Sequence, residues 1–259
     1  MDHNRETEIV RHALLKDLCV ALIFLTRLPL RYSGAITGGD LARASWALPL
    51  IGVLVGGVGG LIYAIALALH LPPLLSALLA VAATVLLTGA MHEDGLADVA
   101  DGFWGGSTRE RKLEIMRDSR IGTYACLALV FSVAIRAAAM AALATPAAAA
   151  AGLIAAHAGA RSVMPMFMRV MPLARSEGLA ASAGEPPAGA AFAALALGFL
   201  VLILALGLVA VPAAFAGLGA AYLISKLAER HIGGRTGDVL GGAEQFAEAA
   251  ILITAAALA

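Results

Sequence analysis

The sequence is short of charge and of cysteine. Only 14% of its 259 residues are charged, and 18 basic and 18 acidic side chains cancel to a net charge of zero. Such a chain lacks the basic excess typical of nucleic-acid binding, so no nucleic-acid partner is expected. Two cysteines, Cys19 and Cys126, cannot build a disulfide framework or a cysteine zinc site. The remainder is apolar: 61% hydrophobic residues and a mean hydropathy of +0.88 indicate a membrane protein.

Charged side chains are missing from long parts of the sequence. Residues 44–92 and 186–225 have none, and residues 121–160 have only Arg136. Each stretch is long enough for two spans of about 20 residues. Each also contains proline, which breaks a helix: Pro72, Pro146 and Pro212. The sequence therefore predicts three helical hairpins.

The basic residues indicate how these hairpins are oriented. They lie in the connections and not in the proline turns, so the positive-inside rule places the connections in the cytoplasm. We expect an all-α, polytopic membrane bundle of six transmembrane helices, or seven if residues 249–259 complete a span. Residues 18–30 are too short for a span and predict a re-entrant or interfacial helix. Residues 1–259 form a single integral-membrane catalytic domain in this interpretation.

An aspartate-rich segment follows the second predicted span. Asp94, Asp98 and Asp101 are spaced i, i+4 and i+7, which places them on one face of a helix. A solvated acidic face would account for Glu93, but three clustered aspartates near a membrane favour a bound cation. Carboxylates suit Mg²⁺, Mn²⁺ or Ca²⁺ rather than zinc, and Mg²⁺ commonly shares its coordination with substrate phosphates. The segment predicts a metal site for a phosphate or diphosphate substrate. His92 beside it is a base, a ligand or only an interfacial polar residue.

Several arginines could bind the phosphates of such a substrate. Arg117 and Arg120 lie one turn apart, where they can clamp phosphate oxygens or anchor the next span. The same two interpretations are open for Arg27 and Arg161. Arg136 lies within a predicted span, where it would snorkel or pair with a neighbouring helix, and it receives no catalytic role.

A glycine-rich segment near the C-terminus forms a third cluster. Thr236, Gly237 and Asp238 could form a backbone nest for an anion or cap the last helix. Asp238 and Glu244 could also supply a second acidic face to a metal. The segment alone is a weak signal, so its meaning depends on the other motifs.

In combination, these motifs resemble one family. His92–Gly102 has the form H-x-D-G-L-A-D-x-x-D-G, and residues 113–123 read LEIMRDSRIGT. FLTRLP at residues 24–29 precedes them, and TGDVLG at residues 236–241 follows. Together they are similar to cobalamin synthase, also called adenosylcobinamide-GDP ribazoletransferase.

The resemblance implies a multi-pass enzyme of the bacterial inner membrane with its active site facing the cytoplasm. It would join adenosylcobinamide-GDP to α-ribazole or its 5′-phosphate and release GMP in the last stage of cobalamin biosynthesis, with Mg²⁺ held by Asp94, Asp98 and Asp101. These aspartates, His92 and Arg117 form the expected catalytic set. The expected substrate-binding residues are Arg27, Glu114, Asp118, Arg120, Arg161, Thr236, Gly237 and Asp238. Membrane lipid is a further expected partner, and a homo-oligomer remains open.

Three other functions share part of this pattern. A CDP-alcohol phosphotransferase and an intramembrane prenyltransferase also hold diphosphates at aspartate-rich membrane edges, but neither matches RDSR at residues 117–120 or TGD at 236–238. A transporter would fit six spans and Arg136. Transporters, however, usually concentrate polar residues near the bilayer midplane, whereas these carboxylates collect at one edge. The released product distinguishes the enzymes: GMP for the ribazoletransferase, CMP for the CDP-alcohol phosphotransferase and inorganic diphosphate for the prenyltransferase.

Overall fold

A computed structural model describes residues 3–30, 32, 34–143 and 145–259, with side chains described from residue 13 onward. Apart from two 3-10 turns and one isolated β-bridge, the regular structure in these ranges is α-helical, which confirms the predicted fold class. The helices are α1 (His3–Leu25), α2 (Gly38–Ala44), α3 (Leu48–Ala68), α4 (Pro73–Thr88), α5 (Met91–Gly105), α6 (Arg109–Ile115), α7 (Thr123–Ala141), α8 (Pro146–Val170), α9 (Leu179–Ala183), α10 (Ala188–Leu206), α11 (Ala210–Ile232) and α12 (Gly237–Leu258).

Several of these helices can cross a membrane. Within the described residues, four stretches are long and apolar enough: Gly38–Ala68, Thr123–Ala141, Ala188–Ile232 and Gly237–Leu258. The pair α4 and α5, bent by 93°, adds a fifth if it forms one broken span. The polytopic class is thus supported with four or five candidate spans. The expected number of six or seven spans exceeds this count partly because α10 and α11 are counted together as the single stretch Ala188–Ile232.

The predicted turns match most of the helix breaks. α3 and α4 separate around Pro72, and α7 and α8 separate before Pro146. The third break lies earlier than predicted, at the 3-10 turn Gly207–Val209, and Pro212 belongs to the first turn of α11. Proline is tolerated there because the first helical N–H groups have no intrahelical partner. At the N-terminus, α1 begins well before the predicted residues 18–30 and ends at Leu25.

The core consists of two clusters around α8, which packs against α3, α10 and α12. One cluster includes Tyr63 and Met140, near the ends of α3 and α7. The other includes Met164, Ile232 and Leu240, where α8 and α11 end and α12 begins. The second cluster lies beneath the end of the bundle that carries the charged motifs. The side chains of these motifs are therefore supported by a packed core.

A glycine stripe lets α3 approach α8 closely. A Cβ atom on Gly52 would lie 2.6 Å from Ala158 Cα, and one on Gly56 would lie 2.6 Å from Ile154 Cα. At Gly60 the corresponding distance to Ala150 Cβ is also 2.6 Å. Small residues at this spacing allow helix backbones to touch in a membrane.

Substitution within this stripe is expected to destabilise the protein. Gly56→Ala should lower the free energy of unfolding by about 1–3 kcal/mol, because the methyl group overlaps the α8 backbone. Gly57→Ala is the matched control, since a Cβ there has no neighbour within 4 Å. Thermal unfolding in detergent measures both variants, and equal midpoints would show that α3 and α8 are not packed this closely.

Candidate active site

A sharp bend between α4 and α5 positions the aspartate-rich segment. Gly89 and Ala90 have φ angles of +69° and +59°, and the left-handed conformation ends α4. The segment after α1 packs on this bend, where the Arg27 N–H donates to the Leu87 carbonyl at 2.7 Å. The bend therefore directs α5 away from α4 and brings Arg27 beside its start.

The three predicted aspartates share one helix, as their spacing indicated. Asp94 is exposed on α5, and Asp98 and Asp101 are half-buried. Asp98 also lies within electrostatic range of Asp238 on α12. Gly95 makes this approach possible, since a Cβ atom there would lie 2.7 Å from the Asp238 carbonyl oxygen. The acidic cluster thus has four members from two helices.

Asp238 is held in place by its own helix start. Thr236 is the N-cap residue of α12, and its hydroxyl accepts from the Val239 N–H at 3.2 Å. The same hydroxyl lies 3.1 Å from Asp238 Oδ2 and donates to it. Thr236 therefore both caps the helix and orients the fourth carboxylate, with Gly237 between them.

Arg175 lies at the acidic cluster although it belongs to none of the four sequence motifs. Its Nη2 atom lies 3.4 Å from Asp238 Oδ2. Backbone hydrogen bonds tie the two connecting loops together: Arg235 N–H donates to the Pro172 carbonyl at 2.8 Å, and Ala174 N–H donates to the Arg235 carbonyl at 2.9 Å. This pairing between distant segments leaves no signal in local spacing.

Asp101 has a structural partner within the chain. Its carboxylate accepts from Gly122 N–H at 2.5 Å and Ala125 N–H at 3.0 Å, at the start of α7. A carboxylate has about four acceptor positions, so these bonds leave room for a metal. Asp101 thereby connects the acidic cluster to the RDSR loop.

The predicted residues of that loop lie on the surface. Arg120 pairs with Asp118 at 2.6 Å, and the arginine holds the pKa of that carboxyl down at about 2. Glu114 pairs with Arg111 at 2.7 Å. Arg117 is exposed, 4.0 Å from a Glu177 carboxylate oxygen. Their observed charged partners lie outside the aspartate cluster.

A cavity of about 450 Å³ opens beside the acidic cluster. Asp94 of α5 and Asp238 of α12 line it together with Arg27 and Gly237. His92 also lines it, although its side chain is almost completely buried. The cavity therefore unites residues from three of the four sequence motifs.

The contacts of His92 define its chemical role. Arg161 Nη2 lies 3.3 Å from His92 Nδ1, and arginine can only donate, so this bond requires an unprotonated Nδ1. Glu244 Oε2, 3.4 Å from the same nitrogen, accepts from Gln245 Nε2 at 3.1 Å. The proton of neutral His92 then resides on Nε2, which is buried without a partner among the described residues. His92 thus presents an N–H donor.

A buried ionic network lies behind His92 and connects four helices. Arg136 of α7 contacts Glu93 of α5 at 3.1 Å and Glu248 of α12 at 3.0 Å. Arg161 of α8 contacts Glu244 of α12 at 2.5 Å. Because these groups are removed from solvent, their charges require one another's compensation. The network holds α5 against α12, the two helices that carry the acidic cluster.

Two expectations change in the light of this network. Glu93 is buried and paired with Arg136, so its interpretation as part of a solvated face is wrong. A tertiary partner forty-three residues away determines its environment. Arg161 is buried, contacts His92, His157 and Glu244, and is not among the residues that line the cavity, so direct substrate binding by Arg161 is not what the fold favours.

Two groups of side chains can be tested for metal binding. Among the described residues, His157, Glu244 and Glu248 bring ligand atoms within 4.8 Å of one another. Arg161 and Arg136 already contact these glutamates, so the charge a metal would neutralise is compensated. The carboxylates of Asp94, Asp98, Asp101 and Asp238 do not converge this closely among the described residues. They offer the oxygen ligands that Mg²⁺ prefers, and Asp94 and Asp238 line the cavity, where a substrate could complete the coordination.

Comparison with known proteins agrees with this arrangement. A family model described as cobalamin-5-phosphate synthase matches residues 17–256. The chain belongs to this family. Three similar relatives carry the name adenosylcobinamide-GDP ribazoletransferase. The protein of Bradyrhizobium diazoefficiens is 52% identical over 97% of this chain and 96% of its own length. The relative from Mesorhizobium japonicum is 45% identical (93% of both chains), and that from Azorhizobium caulinodans is 43% identical (94% and 97%).

Membership in the cobalamin-5-phosphate synthase family confirms the resemblance drawn from the four motifs. The matched region includes all of them, from FLTRLP to TGDVLG. No solved structure matches the chain significantly. The relative positions of the four motifs are therefore those of the fold described above.

Proposed function

We propose that the chain joins adenosylcobinamide-GDP to α-ribazole, or to α-ribazole 5′-phosphate, and releases GMP. The names of its relatives support this activity. The observation that carries the proposal is that Asp94 and Asp238, from different helices, line one cavity together with Arg27. Acidic groups suited to a metal and a cationic group suited to phosphate thus face the same space.

The proposed reaction breaks a phosphoanhydride bond of the diphosphate and forms a phosphate ester bond. A ribose hydroxyl oxygen bonds to the phosphorus on the cobinamide side of the diphosphate. The bond from that phosphorus to the bridging oxygen breaks, and GMP leaves with this oxygen. The hydroxyl proton passes to a carboxylate of the acidic cluster. Such transfers depend mainly on positioning and on neutralising charge.

Each part of the site has a role in this proposal. Asp94, Asp98 and Asp101 would hold Mg²⁺, which when bound neutralises charge on the diphosphate. His92 orients a substrate acceptor atom through its Nε2–H, because its Nδ1 is committed to Arg161. Asp238 supports the cluster from α12.

Four arginines, two of them near the acidic cluster and two in the loop after α6, would hold the phosphates. Arg27 lines the cavity, and Arg175 lies beside Asp238. Arg117 and Arg120 belong to the loop that follows α6. Asp101 holds the end of this loop through its hydrogen bond from the Gly122 N–H. We propose that these two arginines exchange their surface contacts for substrate phosphates, with Glu114 and Asp118 shaping the loop. Gly237 allows close backbone approach beside Asp238.

For the membrane topology we propose seven spans. They are α3, α4, α7, α8, α10, α11 and α12, with α1 at the interface. The central position of α8 supports its inclusion, because α3, α10 and α12 shield its polar side chains from lipid. The positive-inside rule places the acidic cluster on the cytoplasmic side of a bacterial inner membrane.

A reconstitution experiment tests the proposed activity. Purified protein is incubated with Mg²⁺, adenosylcobinamide-GDP and α-ribazole, and the products are separated. Formation of a cobalamin with an equal amount of GMP is expected. Neither product should form without Mg²⁺ or without α-ribazole. Absence of both products under all conditions, or uptake into vesicles without nucleotide release, would overturn the proposal.

Arg175→Ala is expected to weaken binding of the diphosphate substrate. Loss of a charge-assisted contact should raise the KM for adenosylcobinamide-GDP by about ten- to a hundredfold, with little change in the KM for α-ribazole. The control is Arg230→Ala, which removes an exposed arginine of α11. If both variants have wild-type constants, Arg175 has no part in phosphate binding.

A further inference from the structure

The cavity beside the acidic cluster is mainly apolar. Phe24, Leu41, Leu48, Met164, Met168 and Leu240 contribute to its walls. Its side-chain polar groups are few and belong to Arg27, Ser45, His92, Asp94 and Asp238. Diphosphate chemistry alone does not require such walls, because phosphates are bound by charge and by N–H groups. The apolar walls therefore suit a nonpolar part of a substrate rather than its phosphates.

We propose that this cavity binds the flat aromatic base of the nucleoside substrate. This inference rests on the proposed function, in which the nucleoside is α-ribazole and its base is dimethylbenzimidazole. The ribose would then lie at the acidic edge, where its hydroxyl group reaches Asp94 and Asp238. The cavity orients the attacking group by holding the ring attached to it.

The size of the cavity supports this choice. Pockets for ligands of ordinary drug size have about 300–1,000 Å³, and the observed 450 Å³ lies near the lower limit. A nucleoside of about 20 non-hydrogen atoms is a ligand of this class. A corrinoid with its adenosyl group is several times larger, so it would remain outside.

The chemistry of the walls distinguishes the two nucleoside bases in the reaction. Guanine carries several donors and acceptors on its edge, and burying them without partners is costly. Dimethylbenzimidazole carries two methyl groups and no exocyclic polar atom. Methionine side chains, such as Met164 and Met168, adapt to flat rings and make favourable sulfur–aromatic contacts. The apolar walls thus favour the benzimidazole over guanine.

An unpartnered donor in the wall supplies a specific contact. His92 is one of the residues that line the cavity, and its Nε2 atom is buried just behind the surface with no partner among the described residues, so a small turn of the ring would bring its N–H to a bound base. The benzimidazole nitrogen that is not bonded to ribose is an acceptor. A hydrogen bond between them would satisfy the donor and fix the orientation of the ring.

Filling the cavity tests this assignment. Ala180 of α9 lines the cavity, whereas Ala181, its neighbour on the same short helix, does not. Ala180→Phe should raise the KM for α-ribazole by at least about tenfold and leave the KM for adenosylcobinamide-GDP within about twofold. Ala181→Phe, the matched control, should change neither constant. Ala180→Leu is a smaller change that should give an intermediate increase in the KM for α-ribazole. It keeps the test valid if Ala180→Phe fails to fold.

The outcomes separate this inference from the proposed function. GMP release by the wild-type protein tests the function, and the difference between the two KM values tests the cavity. If Ala180→Phe and Ala180→Leu raise the KM for adenosylcobinamide-GDP instead, the cavity binds the nucleotide substrate and the assignment is wrong. Unchanged constants in both folded variants would also overturn it. Binding of α-ribazole alone, measured by calorimetry, should weaken in parallel with the KM.

Discussion

Asp98→Asn is expected to reduce GMP release by about a thousandfold or more while the protein still inserts and folds. Asp98 lies within electrostatic range of Asp94, Asp101 and Asp238, so its carboxylate belongs to the centre of the acidic cluster. Asparagine keeps the size of the side chain but removes the charge that would attract Mg²⁺. Loss of stabilisation of the developing charge gives effects of this size.

The assay for Asp98→Asn measures turnover at saturating substrate over a range of Mg²⁺ concentrations. Glu110→Gln is the control, because Glu110 is an exposed acid on neighbouring α6. Its rate should equal that of the wild-type protein. Near-normal turnover of purified Asp98→Asn would rule out the aspartate cluster as the metal site.

Asp94→Asn and Asp101→Asn should also abolish transfer, but the second has an additional consequence. Asp101 accepts hydrogen bonds from two N–H groups at the start of α7. An asparagine offers one acceptor oxygen, so this variant should also unfold at a lower temperature. Asp98→Asn is therefore the cleaner test of metal binding.

Arg136→Met is expected to lower the free energy of unfolding by about 3–5 kcal/mol. The substitution leaves Glu93 and Glu248 buried without their guanidinium partner, and an uncompensated buried charge is costly. These glutamates belong to α5 and α12, so activity should fall together with stability.

Thermal unfolding in detergent and GMP release measure the effect of Arg136→Met. Arg136→Lys keeps the charge but loses the planar donor geometry, so an intermediate melting temperature is expected. Arg230→Met removes an exposed arginine and should have little effect. A wild-type melting temperature for Arg136→Met would show that the network does not hold the two helices together.

The aspartate segment shows how much local spacing can predict. Because a helix has 3.6 residues per turn, the positions of Asp94, Asp98 and Asp101 were enough to place them on one face. The cost of a charge within a span left two interpretations of Arg136, snorkelling or pairing with a neighbouring helix, and the structure shows pairing with Glu93 and Glu248. The predicted helix is confirmed, and the fold decided between the two interpretations of Arg136.

Other features depend on contacts between distant segments. Arg175 resembles an ordinary cytoplasmic anchor until loop pairing with Arg235 places it beside Asp238. Glu93 resembles a solvated acid until Arg136 is found next to it. In both cases the partner lies dozens of residues away, and no periodicity in the sequence connects the two.

The sequence by itself determined the membrane class, the helical architecture and the four motifs, because composition and helical spacing are local properties of the chain. The tertiary structure decided which residues share a site. In the fold, Asp94 and Asp238 line one cavity whose other walls are mainly apolar. Arg161 is part of the buried ionic network through its contact with Glu244. Burial and charge compensation arise only when helices pack, so these properties had to come from the fold.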